Sequence, residues 1–499
     1  MGIEIERDRF SDEDYQRFSR RLEQSLEALG QMLQRPGFGV GERTIGAELE
    51  LFLIDQAGDP LPRNADILEE VGDPHLTLEL DRFNLEVNPE PLSLAGRPFS
   101  ALGQELRSVL ERVDRVVAGH RGRLAMIGIL PTLRPEHMHR DAITDTPRYR
   151  ALDHSMRRLR QEPVRIEIRG TDPEPVRIVQ DHIALEGANT SFQVHLRVDP
   201  ADFARVFNAA QLATAPVLAA AGNSPALLGS LVWEETRIAL FEQAADDRDE
   251  PSRGRLVSRV AFGTDWLRAG ALELFEESVR HHEPLLPVLG EQDPLAGLDG
   301  DGVPELEELR LHQGTVWRWN RAIYDAALGG HLRIEMRALP AGPTITDMLA
   351  NAAFLLGLTL AMSGAPGARD HGWTDRLLFT RAHANFYQAA RHGLRAELEW
   401  PREQGEPRHA TAAELVPELV PLARRGLDEA GVAAEESGPR LEVIAARVAS
   451  GRTGAWWQRQ MVAALEPRVG RRRALELMLE RYLELMSTDQ PVHTWPVEP

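Results

Sequence analysis

The chain of 499 residues contains no cysteine. A disulfide framework, a thiolate metal site and a cysteine nucleophile are therefore excluded, and redox chemistry points to no compartment. Positive charge is also short: 57 Lys and Arg face 77 Asp and Glu, giving a net charge of -20 and a pI near 5.3. Tracking a phosphate backbone or binding an acidic membrane surface takes clustered positive charge, so neither nucleic acid nor membrane is the expected partner. Small molecules are. Long apolar runs are missing too. The longest, Ala353 to Met362 (AFLLGLTLAM), falls short of the roughly 20 residues that span a bilayer. The opening MGIEIERDRF alternates charged and apolar residues and lacks the apolar centre of a secretory signal, so cytoplasmic residence is the expectation.

What is present is a globular composition, 42% apolar and 27% charged, in a chain long enough for one large core or two. Ser11 with Asp14 three residues on forms a capping-box pattern. Tyr15, Phe18, Leu22, Leu26 and Leu29 then recur at helical spacing up to Pro36, which predicts an outer packing helix. From Thr44 to Ile54 the period drops to two, with Ile45, Ala47, Leu49, Leu51 and Leu53 on one face and Glu48, Glu50 and Phe52 on the other. HLTLELDRFNLEVNP, from His75 to Pro89, reads as a second extended stretch bent near Asp81 and Arg82. A helix follows Pro98 through Leu102, Leu106, Leu110, Val113 and Val117, and RLAMIGIL from Arg123 to Leu130 is β-like. TSFQVHLRV, residues 190–198, alternates again and places Gln193, His195 and Arg197 on one face, with Asp199 and Pro200 opening the next helix. The acidic, Gly- and Pro-rich stretch from Leu286 to Glu305 predicts a mobile loop. From Ile345 onward the pattern is mostly helical, broken at Gly364 to Gly372 and at Arg402 to His409.

The chemistry lies on the strands. Glu48 and Glu50 leave one strand on the same face, a spacing that suits gripping neighbouring cations, and Glu79, Glu86 and Glu335 sit in other extended segments. GGHLRIEMRALPAGPT puts Arg333, Glu335 and Arg337 on alternate residues, so a carboxylate stands between two guanidinium groups that suit phosphate or carboxylate oxygens. Carboxylates gathered at short range ionise together only beside compensating cations. Hard divalent ions such as Mg²⁺ prefer such oxygens and bridge to nucleotide phosphates. By spacing alone the plainer reading is commoner: Glu-x-Glu as the solvated face of a strand and Arg-x-Glu-x-Arg as a surface salt-bridge ladder.

Six motifs in order shift that balance: IGAELELFLID, TLELDRFNLEVNP, TSFQVHL, AGNSPALLG, TVWRWNR and HLRIEMRALPAGPT. Together, from about Ile45 to about Leu358, they resemble the glutamate-cysteine ligase family and its carboxylate-amine ligase relatives in the glutamine-synthetase-like superfamily. The resemblance implies an α+β fold in which a curved, mainly antiparallel sheet forms an open funnel with helices packed outside. The expected domains are a packing helix at 1–40, a glutamine-synthetase-like catalytic domain at 41–374, and a helical carboxyl-terminal region at 375–499. Carried over residue by residue, the resemblance makes Glu48, Glu50, Glu79, Glu86 and Glu335 metal ligands and Arg337 a phosphate-binding arginine, with Arg333 beside it. Gln193 and His195 stand where relatives have a His/Asn or Gln/Asn pair, so either could touch a metal or the nucleotide. Asn223, Ser224 and Pro225 match an A-N-S-P turn, and Arg237 stands where relatives hold an amino-acid carboxylate. Arg321, in TVWRWNR with Trp317 and Trp319, is a further candidate for the nucleotide site. Arg148 and Tyr149 resemble an R-Y pair of some relatives, although helix-surface residues are the simpler reading.

The activity so implied is ATP- and Mg²⁺-dependent joining of the glutamate side-chain carboxylate to the amine of cysteine through an acyl phosphate. A different amine is the nearest alternative. A non-catalytic nucleotide- or amino-acid-binding regulator would lack the carboxylates, and a metal-dependent phosphohydrolase would release phosphate without any amine. Oligomeric state, and a role for the carboxyl-terminal helices, are not indicated by the sequence.

Overall fold

A computed structural model describes residues 5–249, 251–298, 300, 302–364, 372–402 and 405–498. Its centre is an eight-stranded antiparallel sheet: β1 (Thr44–Asp55), β2 (Leu76–Leu78), β3 (Asn84–Val87), β4 (Leu92–Ser93), β5 (Gly122–Ala125), β6 (Phe192–Val198), β7 (Asn320–Asp325) and β8 (His331–Met336). The spatial order is β7-β8-β6-β1-β3-β2, with β4 and β5 pairing opposite ends of β1, and the sheet curls into a half-barrel. Period-two alternation explains the long strands. In β1 the side chains of Ile45, Ala47, Leu49, Leu51 and Leu53 are buried on the helix-covered side, while Glu48 and Glu50 emerge on the concave face.

Local sequence settles most helices. The expected capping box at Ser11 is present and starts the helix Asp12–Leu33, which buries Phe18, Leu22, Leu29 and Met32. Pro98 sits at the start of Pro98–Gly119, where a missing N–H costs nothing. The long apolar helix Ile345–Ser363 is the one described helix whose length and composition would allow a membrane span, yet 89% of its apolar window is buried. It lies against Phe203–Ala221 and Ala412–Glu429 as the central helix of the core. The backbones come close because Gly357 and Gly426 face one another: a Cβ on Gly426 would stand 2.2 Å from the Gly357 carbonyl oxygen.

Several expectations are corrected. The stretch His75 to Pro89 is not one bent strand: Arg82 and Phe83 form a turn, the Asn84 N–H donates to the Asp81 carbonyl at 2.9 Å, and β2 pairs back on β3. Asp199 does not cap the next helix. A 3₁₀ turn, Pro200–Asp202, intervenes, and the Asp199 carboxylate accepts from the Gly41 N–H at 3.3 Å. Of Arg123 to Leu130, only Arg123 to Ala125 lies in a strand. Two hairpins lie outside the expected strands, Val164–Ile168 with Val176–Gln180 and Glu397–Trp400 with Arg408–Thr411; the first alternates, burying Val164, Ile166 and Ile168. The second occupies the expected break at Arg402 to His409, of which 403–404 lie outside the described residues, as do 365–371 of the break at Gly364 to Gly372. In the loop from Leu286 to Glu305, residues 299 and 301 lie outside the described set. The loop is tied to the first helix and the turn after it, Arg21 pairing with Asp293 at 2.9 Å and Arg35 donating to the Leu298 and Gly302 carbonyls at 2.7 and 2.6 Å.

Candidate active site

Strand register assembles the site row by row on the concave face. Glu50 stands directly opposite Glu86 on β3, and Glu86 opposite Thr77 on β2. Two residues along β1, Glu48 faces Gln193 on β6. Farther across, His195 is paired with Glu335 on β8, and Glu335 with Arg321 on β7. Residues distant in sequence thus line one cleft of about 430 Å³, walled also by Glu79, Arg148, Tyr149, Glu186, Trp317 and Arg337.

Its carboxylates form two groups. Ligand atoms of Glu50, Glu79 and Glu86 converge within 4.8 Å of one another, as do those of Glu48, His195 and Glu335. The first group is all oxygen, the donor set a hard divalent cation prefers, and it carries more negative charge than its surroundings neutralise. Burial raises Glu79 well above the ordinary carboxylate range, with Glu86, Glu50 and Glu186 adding repulsion. Burial, then Glu48, pushes Glu86 up to about 7. Burial also raises Glu50, against the pull of Arg337 and Arg237. Thr77 and Asn88 donate to Glu86 Oε1 at 3.1 and 2.9 Å, and Glu50 accepts from the Ser191 N–H at 2.7 Å and from Gln193 Nε2 at 2.9 Å. Among the described residues, each carboxylate is therefore held in place without an ion pair of its own. This is the condition that a bound cation relieves.

The second group is electrically different. Burial works to raise Glu335, but Arg321 and Arg337 hold it well below the usual range. Arg321 donates to both Glu335 oxygens, at 2.5 and 3.0 Å, and Arg337 Nη1 lies 3.3 Å from Oε2. Arg337 also donates to Gln193 Oε1 at 2.5 Å, so the Gln193 amide links the guanidinium to Glu50. The chain has no lysine, and among the described residues every basic side chain lining the cleft is an always-charged guanidinium. Glu335→Gln is expected to destabilise the protein by about 3–5 kcal/mol, because it leaves buried arginines uncompensated. A urea midpoint equal to wild type would show that the pair contributes nothing. Loss of turnover in that variant alone thus cannot separate chemistry from folding.

His195 Nε2 is buried with no hydrogen-bond partner among the described residues, 3.3 Å from Glu48 Oε1 and 3.6 Å from Glu335 Oε1. Burial depresses the ring to about 4, so it is neutral near pH 7. Arg333 Nε donates to its Nδ1 at 3.2 Å, which leaves the single ring proton on Nε2. In this arrangement His195 offers a donor to the two carboxylates; offering a lone pair to a metal requires Arg333 to withdraw.

The structure brings Glu48, Glu50, Glu79, Glu86, Gln193, Arg321 and Arg337 together along the cleft, and packs the buried Glu335 and His195, which do not line it, against Glu48. Two candidate cations are engaged elsewhere. Arg333 is spent on His195 and on Asp325 at 2.6 Å, away from the cleft wall. Arg237 is corrected as a substrate anchor: it is 2% exposed, pairs with Glu235 at 3.3 Å and donates to the Ala338 and Arg337 carbonyls, which braces the end of β8 from behind. Asn223 and Ser224 serve the same brace, Ser224 Oγ donating to Glu235 at 2.6 Å and Asn223 Nδ2 to the Ala341 carbonyl at 2.8 Å. Trp319 is core, whereas Trp317 lines the cleft. Arg148 and Tyr149 are corrected the other way: they are cleft residues at the start of the helix Pro147–Arg160, and Tyr149 donates to the Leu78 carbonyl at 3.1 Å. Glu186 was missed. It lies in the irregular segment before β6, where no periodicity marks a face; burial, then Glu50, pushes it up to about 8.

The curled antiparallel sheet with helices packed around it is a fold shared with solved structures of low sequence identity. The model of glutamate-cysteine ligase family 2 matches residues 44–477, and the chain belongs to that family. The match runs past the span of the six motifs and takes in most of the carboxyl-terminal helices. A putative glutamate-cysteine ligase 2-1 of Nocardia farcinica is 31% identical over 113 residues, covering 22% of this chain and only 28% of that protein. Among solved structures, the glutamate-cysteine ligase of Francisella tularensis in complex with AMP is similar with a TM-score of 0.55 at 11% identity, over 92% of this chain and 91% of that one. A bifunctional glutathione synthetase from Pasteurella multocida gives 0.51 at 12% identity, over 93% of this chain and 55% of that one.

Proposed function

We propose that the protein is a cytoplasmic ATP- and Mg²⁺-dependent ligase that joins the side-chain carboxylate of glutamate to the amine of cysteine. The observation that carries this reading is the pair of converging acidic groups on one concave sheet face, with Arg321 and Arg337 beside them. Glu50, Glu79 and Glu86 would hold one Mg²⁺, and Glu48 with Glu335 another. The ions would supply charge neutralisation of the triphosphate and alignment of its oxygens.

A carboxylate is a poor electrophile. Moving the γ-phosphoryl group of ATP onto the glutamate carboxylate makes a mixed anhydride. The amine then attacks its carbonyl carbon, loses a proton, and phosphate departs with the C–O electron pair. Arg337, fixed by Glu335 and Gln193, is placed to stabilise charge on the moving phosphoryl group, and Arg321 keeps Glu335 ionised and oriented. Arg148 at the cleft wall replaces Arg237 as the candidate to meet an amino-acid carboxylate. A different amine fits the same chemistry, and the apolar walls Leu68, Leu76, Leu78 and Leu152 favour one with an uncharged side chain.

Incubation with ATP, Mg²⁺, glutamate and each amino acid in turn, with ADP and phosphate followed, tests the reading. Amine-dependent release with matching amide product is expected; release without any amine would indicate a phosphohydrolase. Mg²⁺ binding should also displace a proton from Glu86, so its affinity is expected to fall about tenfold per pH unit below about 7. Titration calorimetry between pH 6 and 8 reads this directly, and a flat profile would remove Glu86 from the binding group.

A further inference from the structure

Among the described residues, Glu186 is the one acidic residue of the cleft that the proposed chemistry leaves unused. It lines the wall with Glu50, Arg148 and Arg337, but it is outside both groups of converging ligand atoms. Among the described residues its carboxylate makes no hydrogen bond and no ion pair. The only bonds in which Glu186 accepts, from the Asn189 backbone and side chain at 3.0 and 2.9 Å, go to its main-chain carbonyl. Half-buried beside Glu50 and with no ion pair among the described residues, this group can carry its charge in the free protein only at a cost in stability. In a ligand cleft that cost is recovered when a cation arrives with the substrate.

We propose that Glu186 anchors the α-ammonium group of the amino acid whose side-chain carboxylate is activated. The inference rests on the ligase reading above. Of the two substrates, only this one keeps its ammonium group charged throughout. The attacking amine must shed its proton, and a carboxylate held against it would favour the protonated form that cannot attack. Glu186 therefore acts as a specificity determinant that separates glutamate from a plain dicarboxylate of equal length.

Glutarate, which is glutamate without the amino group, is the probe. Wild-type protein is expected to use glutamate at least tenfold better than glutarate in kcat/KM, and Glu186→Gln should reduce that ratio at least tenfold while Glu186→Asp retains part of it. A general structural role would lower both substrates together and leave the ratio unchanged, which would overturn the proposal. So would a wild-type enzyme indifferent to the amino group, or a variant whose only defect is in KM for the amine. Absence of product from wild-type protein with glutamate and every amine would sink the ligase reading itself, and the anchor with it.

Discussion

Glu86→Gln should be more stable than the wild type without metal and nearly inactive with it. The substitution is close to isosteric, and a glutamine oxygen can keep both bonds that Thr77 and Asn88 donate to Glu86 Oε1. What disappears is the charge that burial and Glu48 make costly. Glu86 has a folded pKa of about 7, above its unfolded value, so the folded state binds the extra proton and wild-type stability falls as pH rises through this range. The gain in the variant should therefore grow from under about 1 kcal/mol near pH 5 to about 3 kcal/mol at pH 8. Activity should fall about 10²–10³-fold in kcat/KM, the scale on which one element of electrostatic stabilisation is lost. Added Mg²⁺ should reverse the order of stability, because only the wild type gains the full binding free energy. Denaturant melts at pH 5 and 8, with and without Mg²⁺, check every part; a variant less stable at pH 8 would mean that Glu86 is already compensated by the protein.

The second large effect is remote from the cleft. Arg447, on the helix Ala434–Ser450, is 1% exposed and donates to Asp347 at 2.7 Å, to Asn351 at 2.6 Å and to the Ala220 carbonyl at 3.1 Å. Asp347 is fully buried and also accepts from Thr344 and from the Val492 N–H. One guanidinium thereby ties the carboxyl-terminal third to the central helix. Arg447→Ala is expected to cost about 3–5 kcal/mol, since it strands a buried carboxylate. Arg447→Ala with Asp347→Ala should cost less than the sum of the two single changes. Strict additivity would show that the charges do not depend on one another. The large loss in a single transition would support treating residues 375–499 as part of the catalytic unit rather than an appendage.

How far the sequence carried depends on what each signal encodes. Alternation assigns a face, so the emergence of Glu48 and Glu50 from one side of β1, and of Gln193 and His195 from one side of β6, was legible. Alternation does not say which strand lies next door. That Glu335 would be shared between Arg321 and His195 follows only from register, and the reversal at Arg82 and Phe83 was masked by the apolar alternation on both sides of it, although Asp81 and Asn84 are turn-favouring residues. Arg237 misled for a related reason: a motif fixes a residue's position along the chain, whereas Glu235 and two carbonyls decide where its guanidinium goes. Arg148 and Tyr149 look like helix surface because the sheet that covers them is formed by segments far away in the sequence. The helical third held no chemical motif, yet the family match runs through it, in keeping with a region whose contribution is packing around Arg447.

The central claim is that the two acidic groups hold divalent cations around a triphosphate. Anomalous diffraction from crystals soaked in Mn²⁺ with a non-hydrolysable ATP analogue addresses it most directly. Peaks are expected among Glu50, Glu79 and Glu86 and beside Glu48 and Glu335, with the terminal phosphate toward Arg337. A nucleotide bound in the cleft with no metal at either group, or metal bound elsewhere, would contradict the account.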